Sequence, residues 1–222
     1  EVAADRLRSR RYRCRDRFQP AGDPAESPFD GNLLVEPAMT VSGAVLDHRI
    51  PCLGVALKER FHIHILKDRV AEMGAEPGPW LGRFKAAVYD GLPPDTLFQV
   101  PCRREGKEKR FTLEALAERI ARISPGQKIA YITDAVYTPE NQERIVSLSR
   151  DADHLFIEAA FSDEDRAAAA EKAHLTARQA GRIARLSRAH RMTIFHFSPR
   201  YRGREELLYQ EAEKAFAGGP ST

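Results

Sequence analysis

Four residues stand where their types and settings allow metal-ligand chemistry. The apolar run Tyr131-Ile132-Thr133 ends at Asp134, and Thr193-Ile194-Phe195 ends at His196. His48 follows Ala44-Val45-Leu46-Asp47, just before an Arg49-Ile50-Pro51 turn. His174 falls at a helix break, ahead of the capping residue Thr176. Carboxylate oxygen and neutral imidazole nitrogen are donors that zinc accepts. In α/β proteins, ligands gather beyond the carboxyl ends of strands. A histidine near a strand end is also a common structural residue, hydrogen-bonded and inert. Taken singly, each of the four stays open to that reading.

The elements that must position them follow from periodicity and punctuation. Residues 1–31 are polar; the Arg-rich opening reads as the tail of a helix and the rest as loop, a segment leading into the domain. Strands are expected at Leu33–Val35, Thr40–Leu46, Cys52–Leu57 and Phe61–Ile65, punctuated by Pro37, Gly43, Pro51 and Gly54. Residues 66–100 change texture. Short helices at Leu66–Met73 and Leu81–Val88 are broken by Glu76-Pro77-Gly78-Pro79-Trp80 and Gly91-Leu92-Pro93-Pro94, which predicts a protruding arm rather than core. Thr112 opens a helix with Leu113, Leu116, Ala117, Ile120 and Ile123 on one face, stopped by Ser124-Pro125-Gly126. A buried strand at Lys128–Thr133 then leads to a helix capped by Thr138 and Pro139 and running to about Ser149. His154–Ile157 is the next strand. Ser162 with Asp165 reads as a capping box for a helix to about Lys172. Thr176 caps a helix with the small face Ala177, Ala180, Gly181 and Ala184. Met192–Phe195 is the last strand and Glu205–Phe216 the last helix. A β-rich first half followed by β/α alternation predicts one α/β layered domain over residues 32–217.

Composition bounds the function. With 222 residues, 42% hydrophobic and 30% charged, the chain can build a packed core, which excludes wholesale disorder. No apolar run nears the ~18 residues of a membrane span, so no membrane partner is expected. A basic-then-apolar leader is absent from the sequence, and three cysteines without ligand spacing fit a reducing compartment, so the expected location is cytoplasmic. Arginine outnumbers lysine 27 to 8, and seven arginines crowd between Arg6 and Arg17. Arginine's planar fork suits phosphate, although a GC-rich genome spells the same bias.

Five stretches carry a family resemblance. Val45-Leu46-Asp47-His48-Arg49-Ile50-Pro51-Cys52-Leu53-Gly54 resembles the ribonuclease Z segment in which a metal-ligand His precedes a Gly-Tyr strand. Ile129-Ala130-Tyr131-Ile132-Thr133-Asp134 resembles its strand leading to a metal-bridging Asp. Phe156-Ile157-Glu158-Ala159-Ala160-Phe161 is similar to its His-Glu-Ala-Thr strand, and His174-Leu175-Thr176 to its His-Ser-Thr segment. Phe195-His196-Phe197-Ser198-Pro199-Arg200-Tyr201 resembles its last ligand motif. All five occur in the family's order across about 35–205.

The resemblance implies a metallo-β-lactamase fold, an αββα sandwich, and an enzyme that binds two zinc ions (manganese being the other candidate) and cuts the 3′ trailer from precursor tRNA. By the same resemblance, Asp134 bridges the metals, which pair at about 3.5–4 Å in such sites, while His48 ligates one ion and His196 the other. His174 is then the general acid for the leaving 3′-oxygen, and Glu158 holds its imidazole in the right tautomer. Ser198 and Arg200 contact phosphate. The 66–100 excursion, with Arg69, Arg83 and Lys85, is similar to an arm that grips the tRNA elbow, and the family commonly forms homodimers.

Departures from the pattern shape the expectation. The family's His-x-His-x-Asp-His motif, due upstream of His48, is absent. His62-Ile63-His64 does not replace it, because Leu66 and Lys67 stand where Asp and His are required. Ile157 and Ala160 replace the His and Thr of His-Glu-Ala-Thr, Leu175 replaces Ser, and Leu53 and Pro199 are also off the commonest pattern. The chain opens at Glu1 rather than Met, inside the Arg-rich stretch. The expectation is therefore the C-terminal part of a larger zinc-dependent phosphodiesterase, inactive alone. Its rivals are a superfamily hydrolase of a small ester or phosphodiester, and a non-catalytic RNA-binding half.

Overall fold

A computed structural model describes Val2, residues 5–102 and residues 108–218. The chain forms two compact units, one built from residues 1–35, 40–58 and 128–222, the other from 36–39 and 59–127.

The first unit opens with a hairpin, β1 (Arg6–Tyr12) against β2 (Pro20–Pro28), where the sequence reading expects a helix tail and loop. The reason is electrostatic. In a helix, Arg6/Arg10, Arg11/Arg15 and Arg13/Arg17 would be like-charged neighbours at i,i+4, which is destabilising. An extended strand spreads the arginines over two faces.

The main sheet of this unit has six strands. They are β3 (Asn32–Val35), β4 (Met39–His48) and β5 (Ile50–Glu59), then, after the second unit, β10 (Lys128–Ile132), β11 (His154–Glu158) and β12 (Met192–Phe195). Their order is β12-β11-β10-β5-β4-β3, with β10, β11 and β12 parallel and β5 antiparallel to β10. Only Arg49 links β4 to β5, so that pair is a hairpin and β4 runs in the direction of the parallel strands. The carboxyl ends of β4, β10, β11 and β12 therefore share one edge.

One sheet face is packed. Ala130, Ile132, Leu155 and Ile157 are fully buried in a core shared with Ile145, Ile183, Ala184 and Leu208. These last come from α4 (Pro139–Ser149), α6 (Ala177–Leu186) and α7 (Glu205–Ala217). Thr138 caps α4 by accepting from the Asn141 N–H. Thr176 and Gln179 make a reciprocal capping box on α6. The box expected at Ser162 and Asp165 does not form. Tyr201 occupies Ser162 instead, its hydroxyl oxygen accepting the Ser162 N–H (3.0 Å) and lying 3.3 Å from the Ser162 Oγ. A 3-10 turn at Asp163–Asp165 then leads into the short α5 (Arg166–Glu171).

The second unit begins its own sheet with β6 (Phe61–Ile65), which pairs with β9 (Ala121–Pro125); β7 (Leu97–Pro101) pairs with β8 (Glu108–Thr112). Helices α1 (Lys67–Glu72), α2 (Pro79–Asp90) and α3 (Leu113–Ile120) pack on them. The sequence reading expects an arm rather than core at 66–100. The structure gives that stretch a core of its own, with Trp80, Phe84, Val100 and Leu116 buried and the Trp80 indole donating to the Glu76 carbonyl at 2.8 Å. Strands β7, β8 and β9 also escaped the sequence reading. Their registers place Arg110 and Arg122 opposite Gln99 and His64, so polar strands of this kind lack the apolar alternation that marks a half-buried strand.

Candidate active site

The shared edge of strand ends carries the predicted residues. Asp134 lies two residues past β10, Glu158 closes β11, His196 follows β12 and His48 closes β4. His174 enters from the turn between α5 and α6. Donor atoms of Asp134, His174 and His196 all lie within 4.8 Å of one another. The His196 Nδ1 is 2.9 Å from an Asp134 oxygen. His48 adjoins this group through its ring, 4.7 Å from that of His174 between centroids, and His174 is 5.1 Å from His196. The trio of donors thus contains His174 in the place that the sequence reading gives to His48.

Local backbone geometry aims these side chains. His196 sits at φ 66, Ala173 at φ 60 and Arg49 at φ 63, all in the left-handed region that non-glycine residues avoid. Such strain recurs at functional sites. The Ala173 carbonyl accepts from the His48 Nδ1 at 2.8 Å, which leaves the His48 Nε2 as the free nitrogen. The Arg49 guanidinium reaches the Glu171 carbonyl, a second tie between the β4 end and the His174 turn.

Glu158 is the buried charge of the site, with no exposed surface. One oxygen accepts the Ala135 N–H at 2.9 Å and lies 3.2 Å from the His174 Nδ1. The other has no hydrogen-bond partner of good geometry, although the His174 Nδ1 is 3.2 Å away. The carboxylate hydrogen bond raises the His174 pKa above the ordinary imidazole value, against the opposing effect of burial. Because Nδ1 faces Glu158, Nε2 is the His174 nitrogen left for ligand or substrate. Cys52, on β5, feels the same carboxylates: burial first, then the charges of Asp134 and Glu158, push its thiol pKa up.

The two expected phosphate contacts differ. The Ser198 N–H donates to the Ala160 carbonyl at 3.0 Å, and its hydroxyl makes no hydrogen bond among the described residues. Arg200 is already engaged: its guanidinium pairs with Asp165 at 3.2 Å and lies 5.1 Å over the Phe161 ring. Asp165 also accepts from the Tyr201 hydroxyl, and these bonds hold its pKa below the usual carboxylate range.

Sequence reasoning missed Asn141. Its buried amide donates to the Asp47 and Val136 carbonyls, both at 2.8 Å, and accepts the Asp47 N–H at 2.9 Å. The side chain pins the residue before His48 to the loop after Asp134. The only local signal was an asparagine in a helix first turn, where it reads as a capping or solvated residue.

The donor set fits a divalent metal. One carboxylate and neutral imidazoles are zinc ligands, and half-exposed Asp134 and His196 leave the cluster open on one side, as a catalytic rather than closed structural site requires. Buried Glu158, hydrogen-bonded to the His174 Nδ1, is the supporting carboxylate that metal-site histidines commonly have.

A family model for the beta-lactamase superfamily domain matches residues 54–197. The chain is 34% identical over 200 residues to ribonuclease Z of Thermobifida fusca, covering 86% of this chain and 54% of that protein. It is 31% identical over 189 residues to ribonuclease Z of Streptomyces coelicolor, covering 85% and 54%. Among solved structures, the metallo-beta-lactamase fold protein YhfI of Bacillus subtilis aligns at TM-score 0.47 and 16% identity, over 86% of this chain and 48% of that one. The chain spans about half the length of the curated relatives it matches. The matched region takes in every strand end that carries Asp134, Glu158 and His196 as well as the His174 turn, and on that match the chain belongs to the beta-lactamase superfamily, with its metallo-β-lactamase fold.

Proposed function

We propose that the chain is the C-terminal part of a zinc-dependent phosphodiesterase like ribonuclease Z, which removes the 3′ trailer from precursor tRNA. The observation that supports this most is the convergence of Asp134, His174 and His196 within 4.8 Å, with buried Glu158 behind His174. In this reading Asp134, His48 and His196 would hold the metal, through a carboxylate oxygen and two neutral imidazoles. Bound there, the metal would supply an activated water and offset charge on the attacked phosphodiester.

The chain's own groups do the rest. Glu158 fixes the Nδ1–H tautomer of His174 and favours its protonated form, so Nε2–H carries the proton toward the leaving 3′-oxygen. The Ser198 hydroxyl is free to meet a phosphate oxygen, and Arg200 reaches one on release from Asp165. The stretch at 66–100 is the RNA-gripping arm, through Arg69, Arg83 and Lys85. A homodimer and a cytoplasmic location complete the reading; no helix among the described residues is long and apolar enough to cross a membrane.

Two zinc sites take about four donors each. Asp134, His48 and His196 fall short of that, so the site would be completed by ligands outside these residues. The decisive experiment uses the completed enzyme. Asp134→Ala is expected to lose metal and precursor-tRNA cleavage together. His174→Ala is expected to keep most of its metal while its rate falls about 10²–10⁴-fold, less for an aryl leaving group that needs little protonation. If His174→Ala strips the zinc as Asp134→Ala does, His174 is a ligand and the acid assignment fails. Turnover of small esters without any cleavage of precursor tRNA would instead identify a small-substrate hydrolase.

A further inference from the structure

The Arg-rich opening has no part in the site above, and the structure gives it a definite shape. Between Asp5 and Pro28 the hairpin carries seven arginines against four carboxylates, Asp5, Asp16, Asp23 and Glu26. That surplus equals the formal net charge of the whole chain, +3, so the positive charge is concentrated in this one element. Two arginines at the base face Glu26, Arg6 and Arg8 both at 3.8 Å, and Arg15 lies 3.9 Å from Asp16. These are long, exposed pairs of the kind that contribute little. Toward the tip, Arg11, Arg13 and Arg17 pair with no carboxylate among the described residues. Arg10, Arg11 and Arg13 line a shallow groove with Ala21, Gly22 and Asp23, and a Cβ on Gly22 would meet nothing within 4 Å.

Aromatic rings stand beside these charges. Tyr12 is 55% and Phe18 69% exposed. Arg17 and Phe18 both occupy the left-handed region, at φ 53 and φ 57, in a turn closed by the Phe18 N–H to the Arg13 carbonyl at 3.1 Å. A bulky residue at positive φ is unfavourable, and such strain points to function when the side chain it presents has no partner. Here the strain holds a phenyl ring out in solvent.

We infer that the β1–β2 hairpin is an RNA-contacting surface, with Arg11, Arg13 and Arg17 on phosphates and Phe18 stacking on a base. Unpaired arginine forks match phosphate oxygens, and an exposed ring gives any base a stacking platform. A flat anionic membrane would also meet Asp16 and Asp23 on the same hairpin, whereas a nucleic-acid strand engages the arginines singly. The choice of RNA among polyanions rests on the ribonuclease reading above; the surface itself does not.

The test measures fluorescence anisotropy of a labelled precursor-tRNA transcript against the intact chain, between about 50 and 200 mM salt. The R11A/R13A/R17A variant is expected to bind at least about tenfold more weakly at low salt, with a log–log salt slope smaller by about two. Phe18→Ala is expected to weaken binding roughly fivefold or more with the slope unchanged, because stacking releases no counterions. Unchanged affinity and slope in both variants would overturn the inference and make the hairpin a solvated surface. So would loss of binding to phosphatidylserine vesicles with RNA binding intact, which would identify a membrane contact. Hydrolysis of bis-p-nitrophenyl phosphate by the completed enzyme separates the two readings, since that substrate offers no chain of phosphates. The triple variant is expected to keep that hydrolysis in full. RNA binding that weakens in the variants of an enzyme inert on this substrate would keep the hairpin and refute the hydrolase.

Discussion

Glu158 and His174 are a buried carboxylate and its only ionisable partner within hydrogen-bond reach among the described residues, and the consequence is measurable without metal. The bond raises the folded-state pKa of His174. A raised imidazole pKa contributes stability that is fully present below the unfolded value and is lost as pH rises through the folded one. In the metal-free chain, the His174 ring proton is therefore expected to titrate above the ordinary histidine range by NMR. Glu158→Gln should return it toward or below that range and flatten the fall in the urea midpoint over the same interval. A His174 titration unmoved by Glu158→Gln would separate the two residues. At this scale Asp134 and His196 stood out because each follows a strand run, Tyr131–Thr133 or Thr193–Phe195, and His48 because it follows Ala44–Asp47. Asn141 was not, because its partner Asp47 lies 94 residues earlier and nothing local announces a bond of that reach. Arg200 was read as a free phosphate ligand because its partner, Asp165, is likewise remote in sequence.

Among the elements, α6 shows how far pattern reading carries. The small face of Ala177, Ala180, Gly181 and Ala184 was visible, and the structure explains why it is small: α7 crosses there in close contact. A Cβ on Gly181 would stand 2.2 Å from the Ala212 carbonyl oxygen and 2.9 Å from the Ala215 Cβ. Gly181→Ala is expected to destabilise the chain by about 1–3 kcal/mol through overpacking. Gly82, inside α2, faces open space, so Gly82→Ala is expected to stabilise by about 0.5–1 kcal/mol. Urea unfolding of the two single variants checks the pair, and equal effects would refute the packing argument. The elements that misled were those governed by charge or by distant partners. The β1–β2 hairpin avoids arginine repulsion that a helix would concentrate, and Ser162 meets the Tyr201 hydroxyl rather than capping a helix start.

The molecule as a whole divides into two units, and the division was only half legible. Proline and glycine marked an excursion at 66–100, but not that it recruits 101–127 to close a core around Trp80 and Phe84. If that unit grips RNA, Arg69, Arg83 and Lys85 contribute binding to a large substrate that a small one does not use. Replacing all three by Ala in the completed enzyme is expected to weaken precursor-tRNA cleavage and reduce its salt dependence, with bis-p-nitrophenyl phosphate hydrolysis unchanged. Equal loss on both substrates would point to a damaged fold instead. The 222 residues alone, short of ligands for two ions, are expected to bind zinc weakly and to show negligible turnover of that substrate; clear turnover would mean the site is complete within them. The central claim, a zinc-dependent tRNA-trailer nuclease centred on Asp134, meets its most direct test in mapping the products of the completed enzyme on a precursor tRNA. The account predicts one zinc-dependent cut that leaves a 3′-hydroxyl on the tRNA and disappears in Asp134→Ala. An uncut precursor, or a cut undiminished in Asp134→Ala, would contradict it.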